Sequence, residues 1–86
     1  MYELRYKKSV EKELRSLPQN ILLNTVDKIQ KLSKNPRPSG CVKLRGSDNL
    51  YRIRCSDYRI VYSIDDNILT ILVIKISHRK DVYRDF

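Results

Sequence analysis

The chain has 86 residues, with 18 Lys plus Arg against 10 Asp plus Glu, a formal net charge of +8. Its length suits one domain spanning residues 1–86, and a hydrophobic share of 41% excludes a disordered chain. The longest apolar run, Ile68 to Ile74 broken by Thr70, excludes a membrane helix, which needs about 20 residues.

The opening MYELRYKKSV lacks the apolar core of a signal peptide. Cys41 and Cys55 form no CxxC pair, and a single histidine gives no zinc site, so no metal or other cofactor is expected. The simplest setting is the reducing cytoplasm, and the positive excess calls for a polyanionic partner.

Along the chain, Tyr2 to Tyr6 alternates as a short strand. Ser9 can cap a helix running to about Ser16, with Val10, Leu14 and Leu17 on one face. Pro18 breaks that helix and opens a second, Gln19 to Lys34, whose inner stripe is Leu22, Val26, Ile29 and Leu32 or Ser33. Lys28, Lys31 and Lys34 read as its solvated face. Asn35 to Gly40 is a loop by composition. Four strand-like runs follow: Val42 to Leu44, Leu50 to Cys55, Tyr58 to Ile64 and Ile68 to Ser77. Arg79 to Phe86 is left as a helical turn or a loop.

Short turns force the later strands to run antiparallel. Two amphipathic helices have one place to bury their stripes, which is one face of that sheet. The predicted class is α+β: an antiparallel sheet of about four strands with a helical hairpin on one face, in the order β-α-α-β-β-β. The other face is left open.

The segment YRIRCSDYRIVY decides what occupies that face. A two-residue turn at Ser56-Asp57 pairs Cys55 with Tyr58 and sets Arg54 opposite Arg59. Strand alternation then collects Tyr51, Ile53, Cys55, Tyr58, Ile60, Tyr62 and Ile64 on the apolar side. Arg52, Arg54 and Arg59 fall on the other, where they are expected to be surface residues. Like charges placed opposite each other cost a few tenths to about 1 kcal/mol. Guanidinium forks suit phosphate oxygens, so a phosphodiester site explains the crowding; solvation, or pairing with Asp48 or Asp57, is the competing explanation. A three-residue loop at Asp65-Asp66-Asn67 would pair Ile64 with Ile68 and bring Lys75, Ser77 and Arg79 to the same face. A two-residue loop would bring His78 there instead. Tyr83 could fold back over that end and stack on a base.

These segments resemble a known family. The frame K-L-R-G at Lys43 to Gly46, then Y-R-I-R, D-Y-R-I-V-Y, and H-R-K-D-V-Y-R at His78 to Arg84, resembles the RelE/ParE superfamily of toxins from toxin–antitoxin pairs. K-S-V-E-K-E-L-R-S-L-P near the start is also similar. The C-terminal pattern and the pair Arg52 and Arg54 look more like the RelE branch. That resemblance implies a ribosome-dependent mRNA endonuclease (an mRNA interferase), held inactive by a RelB-like antitoxin, with ribosome and mRNA as targets and no membrane role. It places Arg52, Arg54, Arg59, Arg79 and Tyr83 at the cleavage site. No metal is required: the ribose 2′-OH attacks the phosphate. Lys43, Arg45 and Lys75 would extend the RNA track.

The sequence departs from that branch in one respect. Its members often carry lysine where this chain has Arg52 and Arg54. A lysine crowded by positive charge can release its proton and act as base, whereas arginine hardly can. His78 is the natural substitute, because histidine alone titrates near neutrality without help. Otherwise the arginines act electrostatically and ribosomal RNA supplies the base. A ParE-like inhibitor of DNA gyrase and a plain nucleic-acid-binding module remain the alternative functions.

Overall fold

A computed structural model describes residues 1–78 of the chain. It contains β1 (Glu3–Tyr6), α1 (Lys8–Arg15), α2 (Gln19–Leu32), β2 (Val42–Lys43), β3 (Leu50–Cys55), β4 (Tyr58–Asp65) and β5 (Thr70–His78). No helix among the described residues is long and apolar enough to cross a membrane.

The expected α+β class, with both helices on one side of a sheet, is found. The sheet order is β1-β5-β4-β3-β2. The helices carry the chain across one face, so β1 and β2 end at opposite edges. The meander β2 to β5 is antiparallel, while β1 lies parallel to β5, with Leu4 opposite Ile71. The sheet therefore has five strands and is mixed. Sequence alternation could not show this, because it identifies a strand without identifying its neighbour.

Helix α1 starts at Lys8, with Lys7 as its N-cap and no side-chain cap bond, so Ser9 lies within the helix. On α2 the fully buried positions are Thr25, Ile29 and Leu32, with Leu22 and Ile21 packed at the core's margin. Val26 is half-buried. The stripe is thus rotated slightly from the expected one. The core joins Val10, Leu17, Ile29 and Leu32 to the strand residues Ile53, Ile60, Tyr62, Ile71, Val73 and Ile76.

The turn into β5 differs from the expected one, and a bulge compensates. Asp65 pairs with Thr70 and Ile64 with Ile71, so the loop is longer than three residues. Continued unbroken, that register would set Lys75 against core residue Ile60 and Ile76 against Arg59. Instead Tyr62 pairs with Val73 and Val61 with Lys75, which leaves Ile74 as an extra residue. A bulge of this kind reverses the facing of everything beyond it. It returns Ile76 to the core, where it is 3% exposed, and turns Lys75 and Ser77 to the arginine side.

Candidate functional site

The turn at Ser56-Asp57 fixes the centre of the site. Cys55 pairs with Tyr58 and Arg54 with Arg59. Ser56 carries φ of 55°, the left-handed region that tight hairpins need and non-glycine residues seldom adopt. The Arg54 carbonyl accepts a hydrogen bond from Lys28 Nζ (2.8 Å) on the side away from β4. Arg54 and Arg59 are therefore a non-hydrogen-bonded pair, the kind in which facing side chains lie closest.

One sheet face carries Arg52 and Arg54 on β3, Arg59 on β4, and Ser77 and Lys75 on β5. Arg59 lies between Arg54 and Ser77, and Val61 between Arg52 and Lys75. Their environments differ. Arg54 is exposed, Arg52 is half-buried, and Arg59 is only 6% exposed. Arg59 is thus not the surface residue the alternation suggests. Alternation assigns a face, but depth is set by the neighbours on both sides of a central strand.

Among the described residues, neither Asp48 nor Asp57 forms an ion pair with Arg52 or Arg54; ion pairs there include Arg5–Glu3, Lys31–Asp27, Arg37–Asp66 and Lys75–Glu13. Lys75 shares the arginine face by register, yet its ammonium lies 3.8 Å from Glu13 on α1. The other oxygen of Glu13 accepts the Ile76 N–H at 3.0 Å. β1 pairs with β5 only up to Val73, so Glu13 serves the edge beyond it. Sequence reasoning missed this residue. The available signal was its position: Glu13 stands among Val10, Leu14 and Leu17 on the stripe that faces the core.

The other expected site residues are dispersed. His78 pairs with Tyr58, and their rings meet edge to face at 5.5 Å, on the side of the sheet opposite Arg59. Lys43 pairs with Tyr51 and so also faces away from the arginines, because β2 alternates like any strand. Arg45 is exposed in the loop between β2 and β3. Arg79 and Tyr83 lie outside the described residues.

A second polar cluster occupies the far end of the sheet. Arg37 donates to Asp66 (2.9 Å) and to the Tyr51 hydroxyl (3.2 Å), while the Tyr2 hydroxyl donates to Asp66 (2.6 Å). The hydrogen bonds from Arg37 and then Tyr2 hold the Asp66 carboxyl below its ordinary pKa. Asp66 in turn raises Tyr2 and Arg37. Nearby, the buried Tyr62 hydroxyl donates to the Pro36 carbonyl at 2.7 Å, and burial pushes that phenol's pKa up. These contacts fasten the loop after α2 to the sheet.

Comparison with known proteins adds to this geometry. Residues 4–83 match the family profile described as ParE toxin of type II toxin–antitoxin system, parDE. The chain is 31% identical to Toxin RelG of Mycobacterium tuberculosis over 84 residues, covering 96% of this chain and 97% of that one. It is 34% identical to the putative toxin RelE1 of Methanocaldococcus jannaschii over 89 residues, covering 98% and 97% respectively. Its fold superposes on the archaeal RelE–RelB complex from Pyrococcus horikoshii with a TM-score of 0.82 at 31% identity, over 91% of this chain and 94% of that one.

Proposed function

This chain belongs to the RelE/ParE superfamily of toxins of type II toxin–antitoxin systems, and from that premise we propose that it is a ribosome-dependent mRNA endonuclease silenced by a RelB-like antitoxin. The observation that supports the reading most is the placement of Arg54 against Arg59 on the sheet face away from the helices, with Arg52 beside them. Like charges that face each other across a strand pair repel, whereas a phosphodiester bound there would meet both cations.

In the proposed reaction, a ribose 2′-oxygen of mRNA in the ribosomal A site attacks the adjacent phosphorus as its proton leaves to a base. The bond to the 5′-oxygen breaks, and that oxygen takes up a proton. The products are a 2′,3′-cyclic phosphate and a 5′-hydroxyl. Negative charge grows on the non-bridging oxygens in the transition state. Guanidinium groups already fixed in place stabilise that charge without reorganising. Arg59 is the anchor because it is buried, while the exposed Arg54 and half-buried Arg52 reach outward to the strand. Arg79 and Tyr83 are proposed to complete the site, stabilising the leaving side and aligning a splayed nucleotide. The His78 ring is against Tyr58, so the described residues contribute charge and the base is assigned to the ribosome's RNA.

Primer extension on mRNA bound to programmed ribosomes tests this. Cleavage within the A-site codon that requires the protein supports it, and intact mRNA refutes it. The matched profile carries the ParE description, which favours a second reading, a gyrase inhibitor without nuclease activity. That reading expects a DNA-damage response with mRNA intact.

A further inference from the structure

The two carboxylate oxygens of Glu13 do different things. Oε1 accepts the Ile76 N–H at 3.0 Å, a hydrogen bond that pins the carboxylate beside β5 where the pairing with β1 has ended. Oε2 lies 3.8 Å from the Lys75 ammonium, beyond hydrogen-bond length, so that contact is ionic and loose. Both side chains are partly exposed. A pair open to water shifts an equilibrium by about fivefold at most. The bulge at Ile74 sets Lys75 in register with Val61, which has Arg52 on its other side. Adjacent strands are about 4.8 Å apart, so the backbones of Arg52 and Lys75 stand roughly 10 Å apart across the face. Lys75 carries a compact charge on a flexible four-carbon stem. Turned inward over Val61, that stem brings a further cation to the arginines. Turned outward, as it is here, it meets Glu13.

We propose that Glu13 is an internal stand-in for phosphate: it parks Lys75 at the sheet edge in the free chain and yields it to a backbone phosphate of RNA lying along the arginine face. The RNA partner rests on the function proposed above; the exchange itself follows from the geometry of the pair. Lys75 is then a substrate contact, and Glu13 is a positioning residue that acts through it. A phosphate oxygen at hydrogen-bond length is a stronger partner for the ammonium than a carboxylate oxygen at 3.8 Å. Glu13 does not follow the lysine, because the Ile76 N–H holds it in place. In the free chain the parked pair keeps a further positive charge away from Arg52, Arg54 and Arg59, where like charges already face each other. Glu13 thus restrains RNA binding by the cost of releasing Lys75.

The test uses the full chain and a short single-stranded RNA with 2′-O-methyl sugars, which offers phosphates and cannot be cut through a 2′-oxygen. Binding is followed by fluorescence anisotropy over a range of salt. Lys75→Met should weaken binding and lower the slope of log K against log salt by about 0.7, the share of one phosphate on a single strand. Glu13→Gln keeps an acceptor for the Ile76 N–H and should tighten binding about two- to fivefold. In the Lys75→Met background the same substitution should have much less effect. Hydrogen exchange at the Ile76 N–H should stay slow in the parent chain with and without RNA. An equal gain from Glu13→Gln in both backgrounds means that Glu13 acts through net charge alone, and overturns the proposal. Weaker binding by Glu13→Gln, an unchanged salt slope in Lys75→Met, or an Ile76 amide that loses protection when RNA binds also overturns it, as does a parent chain that binds no RNA at low salt. Cleavage on programmed ribosomes is read separately. The binding pattern without any cut keeps the exchange of Lys75 and removes the nuclease reading, whereas cleavage without the binding pattern does the reverse.

Discussion

Two settings for arginine lie at opposite ends of the same sheet. At the end of the β4–β5 turn, Arg37 meets a carboxylate, a phenol and the Tyr51 ring, whose centroid is 5.2 Å away. Near the β3–β4 turn, Arg54 faces Arg59, with Arg52 on the same strand face. The first is an arrangement that folding can use. The second sets one cation against another across the strands, a placement that suits a bound polyanion. The lesson is that the neighbours of an arginine, more than its presence, separate fastening from function.

Substitutions can break that contrast. The largest effects are expected on cleavage. Arg59→Met keeps much of the buried volume and should lower single-turnover cleavage by about 10²–10³-fold, the usual loss when one fixed transition-state donor is removed. Arg59→Ala is the poorer test, since truncating a buried side chain also leaves a cavity. Arg54→Glu should abolish cleavage yet raise stability by a few tenths to about 1 kcal/mol, because it turns a repulsive pair into an attractive one. Urea denaturation measures the second effect, and a drop in stability would place Arg54 among the structural arginines.

Next in size is Glu13→Ala, which strips the acceptor from the Ile76 N–H and should cost about 1–2 kcal/mol. Glu13→Gln should recover most of it, since an amide oxygen still accepts that bond. Arg37→Ala should lower the melting temperature only slightly and leave cleavage untouched, the reverse of Arg54→Glu. A loss of cleavage in Arg37→Ala would erase the contrast between the two ends.

The smallest effect is a dependence on pH. The Asp66 pKa is lower in the folded chain than in the unfolded one. Its contribution is therefore present above the ordinary carboxylate pKa and is lost as pH falls through the depressed folded value. The melting temperature of the parent chain should fall faster than that of Asp66→Asn below about pH 4. Parallel curves would show that the Arg37 contact contributes nothing to stability.

Much of the arginine face could be read from the sequence, because a two-residue turn and strict alternation leave little freedom in a hairpin. The pairing of Arg54 with Arg59 follows from those two facts alone. What lay beyond reach depended on long-range packing. The segment Ile71 to Ile76 is apolar at five of its six positions, so no periodicity could reveal the bulge at Ile74. Lys75 and Ser77 reach the expected face, but through a longer loop and that bulge. The burial of Arg59 depends on strands on either side of β4. The parallel position of β1 depends on the path of two helices across the sheet. Lys43 and His78 were adjacent to the right segments and on the wrong side of them, a one-residue matter of parity.

The most direct test is single-turnover cleavage on programmed ribosomes of two mRNAs that differ only by a 2′-deoxy sugar on the 5′ side of the scissile bond. With the parent chain, a 2′,3′-cyclic phosphate and a 5′-hydroxyl are expected from the ribose substrate and no cut in the deoxy one. With Arg54→Glu, both substrates should stay intact while the protein remains folded. Cleavage of the deoxy substrate, or undiminished cutting by Arg54→Glu, would contradict it.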